Sequence, residues 1–247
     1  MRPAALGFAL AAVLLAGGIS APEAAPKPKR ERQIDRIVVH PNLRSIRLTA
    51  VAMLPAASFE GVEPAERHAE AELMRSIRDA GYRWITAPTT RDMLRRSGGD
   101  SLLKATREAI LSRDRIDSTR VPGLCGRLRV NGLLIVRIDR AEQISIQSDQ
   151  SGRPSTTIQL RAALVDSLGA LVWSASGAEY VEGLEMQANA SGALGSGAGN
   201  LAPSATQARN NAPDWPLALQ PLLVRWTPTF PRRAAMAGGT PADSTAR

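Results

Sequence analysis

Apolar and polar positions follow one another in a readable order along this chain. "SIRLTAVAMLPA" (Ser45 to Ala56) alternates at Ile46, Leu48 and Ala50 and then runs apolar from Val51 to Leu54. A strand reads this way as it enters a sheet covered on both faces. Pro55 ends it by removing a ladder donor. In "VEPAERHAEAELMRSIRDAG", Ala69, Leu73, Ile77 and Ala80 recur at helical spacing, while Arg67, Glu70 and Arg78 lie away from that face. Pro64 suits the first turn, Glu63 and Glu66 complement the positive end of the helix, and Gly81 stops it. "YRWITAP" follows as a short strand with Tyr82 and Trp84 on one side. Strand, helix and strand joined by short links predict a right-handed crossover, and hence a parallel pair.

Two helices come next. "TTRDMLRRSG" is capped by Thr89 or Thr90 and broken at Gly98 and Gly99. "DSLLKATREAILSRDRID" starts from Asp100 and shows an apolar face at Leu102, Leu103, Ala109 and Ile110. "VPGLCGRLRV" adds a short helical turn. "VNGLLIVRIDRAEQISIQ" is a strand, apolar throughout from Leu133 to Val136. After the turn "SDQSGRP", "STTIQLRAALVD" alternates Ile158, Leu160, Ala162 and Leu164 with Thr157, Gln159 and Arg161. Asp166, Ser167 and Gly169 then supply turn chemistry, because Asp and Ser bond back to nearby backbone and Gly tolerates positive φ. The returning strand, "ALVWSASG", carries Trp173. Three strands joined by turns predict an antiparallel meander. In "PDWPLALQPLLVRWTPTFP", Trp215, Leu219, Leu222 and Trp226 predict a closing helix that Pro221 kinks. The expected fold class is α/β: a two-layer or three-layer mixed sheet with a βαβ start, helices, an antiparallel meander and a late C-terminal helix.

The first residues carry a different pattern. "MRPAALGFALAAVLLAGGISAPEAAP" has a cation at Arg2 and an apolar run from Ala4 to Gly18. That run is shorter than the ~20 residues a helix needs to cross a bilayer, so a cleavable secretory signal is expected. Cleavage after Ser20, Ala21 or Ala25 satisfies the small-residue rule. "LLAGGIS" has no cysteine where lipidation would require one, so no lipid anchor is expected and the mature chain is placed in the periplasm or outside the cell. The resulting division is signal 1–21, basic proline-containing linker 22–43, α/β domain 44–181, flexible Gly/Ala/Ser loop 182–212, C-terminal helix 213–230 and disordered tail 231–247.

Composition narrows the functional classes. The 247 residues are 44% hydrophobic, enough for one ordinary core, and carry a net charge of +8 from 31 Lys plus Arg against 23 Asp plus Glu. Arg91, Arg95, Arg96, Arg107, Arg113 and Arg115 alternate with Asp92, Asp100, Glu108, Asp114 and Asp117 and have no stacking aromatics among them. They read as solvated helix faces, not as a nucleic-acid surface. "KPKRER" offers Lys27, Arg30 and Arg32 as surface contacts for anionic lipid headgroups. Cys125 is the single cysteine, and His40 and His68 are the two histidines, so metal ligands are scarce. His68 and Glu72 share a helix face and could hold one ion weakly. No second acidic pair is seen to converge on Asp139 and Glu142, and Asp166 reads as a turn residue. "GALGSGAGN" (Gly192 to Asn200) lacks the strand and helix that frame a phosphate-binding loop. No catalytic, cofactor or metal site is assigned.

Four segments in this order resemble a bacterial envelope family: "IRLTAVAMLP", "AELMRSIRDAGYRWIT", "VNGLLIVRI" and "LRAALVDSLGALVWSAS". The family includes the penicillin-binding-protein activator lipoproteins of the LpoB kind and the curli secretion lipoprotein, with the amino-terminal domain of the Tol-system propeller protein as a more distant relation. The resemblance covers about residues 44 to 180. Its structural signature falls on Asp166, Gly169 and Trp173, with Pro55 and Gly81 as punctuation. It implies a non-enzymatic accessory or assembly factor that binds an envelope protein. The chain departs from the family in three ways: the lipidated cysteine is missing, no pore-forming strand pair is visible, and the Gly/Ala/Ser loop is an insertion. An unrecognised periplasmic enzyme and a membrane-surface or polyanion binder are the alternatives.

Overall fold

Along the chain, strands β1 (Arg36–Val39), β2 (Ala50–Met53) and β3 (Ala57–Ser58) precede helix α1 (Glu63–Ile77), strand β4 (Arg83–Ile85) and helices α2 (Ala87–Ser112) and α3 (Val121–Leu128). Strands β5 (Gly132–Ile144), β6 (Ser155–Asp166) and β7 (Leu171–Glu182) and helix α4 (Trp215–Trp226) complete the order. The computed structural model describes residues 35–41, 46–112, 116–146, 151–184 and 211–233. The signal at 1–21, most of the linker with Lys27, Arg30 and Arg32, most of the Gly/Ala/Ser loop and most of the tail lie outside the described residues.

One mixed sheet runs β1-β7-β6-β5-β2-β4, with β3 also paired to β5. Strand β2 lies parallel to β4, with Ala50 opposite Arg83 and Ala52 opposite Ile85, so the expected βαβ crossover is present. It also lies parallel to β5 on its other side, and β5, β6 and β7 form the antiparallel meander. Pro55 interrupts β2, but pairing resumes at once: Ala57 and Ser58 face Arg137 and Ile138 further along the same partner strand. The chain "RIVV", assigned from the sequence to the end of the linker, is instead edge strand β1, antiparallel to β7 with Arg36 opposite Ser176 and Val39 opposite Trp173. Four residues of mixed exposure between polar neighbours give too short an alternation to announce a strand.

Alternating side chains send two cores to opposite faces of the sheet. One face, with Val51, Met53, Leu134, Val136, Leu160 and Leu164, packs against α1 and α4. The other, with Ala52, Leu54, Leu133, Ile135 and Val165, packs against α2 and α3. Three layers therefore stack over β2 and β5. The outer strands β6, β7 and β1 are covered fully on one face only, and this asymmetry positions the candidate site.

The C-terminal helix is held by aromatics. Trp173 and Trp226 are fully buried with ring centroids 6.5 Å apart, and Phe230 packs on Trp173 at 4.9 Å. The Tyr82 hydroxyl donates to the Pro231 carbonyl at 3.0 Å and so ties the end of α4 to the start of β4. Such aromatic pairs contribute about 0.5–1.5 kcal/mol beyond their burial. Arg225 adds an outer latch, bonding Asp35 before β1 and Glu179 on β7.

Gly81 adopts φ 86° and caps the 3₁₀ turn that extends α1, as expected of a stop signal. The span of α2 is interrupted at Gly99, whose φ of 68° and ψ of −170° no helix continues, so two helices meet there as the sequence predicts, one ending at Gly98 and the next starting at Asp100. Asp166 closes the β6–β7 turn: its Oδ1 accepts from the Leu168 N–H at 2.9 Å and the Ala170 N–H at 2.8 Å. Gly169 there has φ 84°, and a Cβ would stand 2.7 Å from that of Ser118. The turn thus needs glycine for its dihedral and for the close approach of the segment before α3.

Candidate functional site

Residues directly opposite one another in a ladder point to the same face. Arg137 on β5 lies opposite Arg161 on β6, Arg161 opposite Ser176 on β7, and Ser176 opposite Arg36 on β1. One lateral row across four strands therefore reads Arg, Arg, Ser, Arg. The neighbouring row is small or apolar: Ile135, Ala163, Ser174 and Val38. Helices α2 and α3 do not extend over these strands, and the space left is an open groove of about 350 Å³. Ile110 of α2 and Leu171 of β7 complete its apolar wall.

The described lining holds three arginines and no carboxylate. Asp139, two residues beyond Arg137, receives the Arg137 Nε–H at 2.7 Å and also pairs with Arg161. It offsets the repulsion of two guanidinium groups that are lateral neighbours. Arg137 also stands 5.6 Å from the ring centroid of Phe59, an exposed aromatic after β3. A guanidinium is always protonated and donates in a fork, so this row can recognise anionic groups but cannot serve as a general base. Ser174 and Ser176 add hydroxyls to the floor, and neither hydroxyl has a hydrogen-bond partner among the described residues.

Two carboxyl groups shifted from their ordinary values lie elsewhere, and their geometry is structural. Glu70, placed by its helical position away from the apolar face of α1, is in fact 6% exposed. It accepts the Ala56 N–H at 2.8 Å and faces Arg91 at 3.3 Å. Glu66, one turn earlier, accepts from the Ser58 N–H at 2.9 Å, the Ser58 hydroxyl at 2.7 Å and both Nη groups of Arg107. The break at Pro55 leaves backbone donors unpaired around Ala56 and Ser58, and these carboxylates satisfy them. Burial pushes the Glu70 carboxyl above its ordinary value of 4.5, outweighing the Ala56 hydrogen bond and the Arg91 charge. Burial also raises Glu66, but hydrogen bonds from Arg107 and Ser58 and the Arg107 charge prevail and hold it below 4.5. Arg91 and Arg107, read from the sequence as solvated, thus reach inward from α2 to α1.

The remaining sequence candidates are dispersed. His68 is exposed on α1, while Glu72 is buried and takes two hydrogen bonds from Arg75 at 2.7 and 2.6 Å. Among the described residues, no three His, Cys, Asp or Glu side chains are grouped to hold a metal ion. Cys125 is buried in α3, and burial followed by the Asp166 charge pushes its thiol up to about 11. Asp139 takes part in the arginine row while Glu142 pairs with Arg140. Among the described residues, no helix is long and apolar enough to cross a membrane. The row itself was missed because register is not written in composition. Its signal lay in the outward positions of two strands: Arg161 between Leu160 and Ala162, and the small polar residues of "WSAS".

No family model and no curated protein sequence matches the chain. Among solved structures, lipoprotein GNA1162 from Neisseria meningitidis overlaps with a TM-score of 0.42 and 16% identity, over 59% of this chain and 92% of that one. The PelC L103M dodecamer from Paraburkholderia phytofirmans gives 0.38 and 18%, over 61% and 83%. The LpoB C-terminal domain from Salmonella enterica gives 0.30 and 12%, over 54% and 84%. At these TM-scores the overlaps carry no argument about what this chain does.

Proposed function

We propose that this chain is a non-enzymatic accessory or assembly factor of the cell envelope that acts by binding a protein. The observation that carries the reading is the half-covered sheet: β6, β7 and β1 hold an open groove along which Arg36, Arg161, Ser174 and Ser176 reach solvent, while Arg137, Ile110 and Ile135 are buried at its edge. Uncovered faces of this kind mark binding surfaces when polar groups converge on them. The secretory pattern of residues 1–21 supports a location outside the cytoplasm, as does the resemblance of residues 44–180 to envelope accessory domains. The test is affinity capture from envelope extracts with the mature protein as bait. Recovery of a defined protein partner is the expected result; recovery of small molecules alone contradicts the reading.

A second contact is favoured by the run "KPKRER", whose Lys27, Arg30 and Arg32 suit an anionic membrane surface. Vesicle co-sedimentation that survives deletion of residues 22–36 contradicts it.

A further inference from the structure

We infer that the outer ridge of α4 docks on an anionic lipid surface, with Leu217, Pro221 and Val224 at the headgroup boundary and Arg78, Arg232 and Arg233 on the lipid phosphates. This goes beyond the protein-binding reading and does not depend on the linker contact proposed above. Three observations select this occupant. The first is the composition of the helix. Of the twelve residues of α4, only Gln220 and Arg225 are polar. Trp215, Ala218, Leu219, Leu222, Leu223 and Trp226 are buried in the core. The opposite side is apolar too: Leu217 is 54% exposed, Val224 is 71% exposed, and the exposed Pro221 stands between them. Residues four and seven apart share a helix face, and the exposed Pro228 continues the line into the following 3₁₀ turn. A helix at the surface normally turns polar and charged residues outward, whereas one that is apolar all round is found buried.

The second is charge. Arg232 and Arg233 follow the helix and are both exposed. A Cβ at Gly81 would stand 3.3 Å from that of Arg233, so the exposed Arg78, three residues before Gly81, belongs to the same corner. None of these three guanidinium groups has an ion pair among the described residues. Asp79, next to Arg78, offsets one of the three charges. Asp35 and Glu179 are already taken up by Arg225, and Asp214, before Leu217, sets the N-terminal end of α4 nearer to water. The excess of cations at the C-terminal end of the ridge complements an anionic bilayer, where each basic residue is worth about fivefold in affinity.

The third is size. Leu217 to Val224 spans about 10 Å along the helix axis. A ridge one helix wide covers far less than the roughly 800 Å² per partner of a stable protein interface, so a second copy of the chain would be held weakly. A few apolar side chains beside a basic cluster are enough for a lipid boundary, which an apolar helix face enters by about 5–10 Å.

The experiment mixes the mature protein with vesicles of phosphatidylglycerol and phosphatidylcholine, and in parallel with vesicles of phosphatidylcholine alone, and reads the bound fraction by co-sedimentation. Saturable binding to the anionic vesicles only is the expected result. Val224→Glu should weaken it about tenfold or more, since it sets a carboxylate in the boundary. Leu168→Glu makes the same change at a residue 76% exposed in the β6–β7 turn and should alter binding by less than about twofold. Replacing Arg232 and Arg233 together by serine should also weaken binding about tenfold or more, and added salt should shrink that difference. Absence of binding overturns the inference, and so does equal binding to both vesicle types or equal weakening by Val224→Glu and Leu168→Glu. Dimerisation seen by light scattering and abolished by Val224→Glu, without vesicle binding, overturns it in favour of a second copy. If binding survives Val224→Glu but is lost when Lys27, Arg30 and Arg32 become serine, this inference fails while the linker contact stands. If binding is lost with Val224→Glu and survives the linker substitutions, the linker contact fails while this inference stands.

Discussion

Glu66 and Glu70, one turn apart on α1, should respond in opposite ways to loss of charge. Glu66→Gln keeps one acceptor for Ser58 but turns an amide N–H₂ toward Arg107, which donates at 2.7 and 3.1 Å to the carboxylate. Breaking a fully buried pair costs about 3–5 kcal/mol. The Arg107 side chain is 39% exposed, so water recovers part of that, and about 2 kcal/mol of lost stability is expected. For a chain of this size the melting temperature should fall by roughly 4–8 °C. Glu70→Gln keeps the acceptor for the Ala56 N–H and removes a charge that burial disfavours. It should leave stability within about 0.5 kcal/mol of the parent, or raise it. The pH dependence separates the two further. Glu66 titrates below 4.5 in the fold, so its contribution is complete above 4.5 and is lost as pH falls through the folded value. The gap between parent and Glu66→Gln should therefore close in acid. Glu70 titrates above 4.5, so its ionisation costs stability at neutral pH, and the parent should gain on Glu70→Gln as pH falls toward 4.5. Urea unfolding followed by circular dichroism across this range reads both. Equal losses from the two substitutions, or gaps that do not change with pH, would refute the assignment.

Further expectations concern the core. The Trp173 indole donates to the Thr229 hydroxyl at 3.1 Å, whereas the Trp226 indole N–H is buried without a partner among the described residues. Trp173→Phe should thus cost about 1 kcal/mol more than Trp226→Phe by chemical denaturation, and a reversed order contradicts this packing. Gly169→Ala should destabilise by about 2 kcal/mol through its φ of 84° and the contact with Ser118; a neutral effect in the same assay would contradict the turn geometry. The Cys125 thiol should resist iodoacetamide at neutral pH until denaturant opens the fold, as read by mass spectrometry; rapid labelling of the native protein would contradict its burial.

Where long alternation carried the information, the sequence was sufficient. β5, β6 and β7 each bury apolar positions over twelve or more residues, and the turn between β6 and β7 has Asp166 and Gly169 where its chemistry requires them. The βαβ start followed from one amphipathic helix and two short apolar runs. Three features escaped. β1 has four residues, and only pairing with β7 defines it. β3 has two and is recognised only through β5. Glu70 was placed outward because an acid on an amphipathic helix is normally solvated, but the donor it serves, the buried Ala56 N–H, lies fourteen residues earlier and is left without a ladder partner by the break at Pro55. The candidate groove escaped for the same reason. Arg36, Arg137 and Arg161 are far apart along the chain, and three separate pairings bring them into one row.

The central claim, that the uncovered face of β6, β7 and β1 meets a protein, is tested most directly by site-specific photocrosslinking in intact cells. A photoreactive amino acid at Ser174 should yield an adduct enlarged by the mass of a partner protein, and the same group at Arg67 should yield none. Adducts at Arg67 but not at Ser174, or at neither position, would contradict the account.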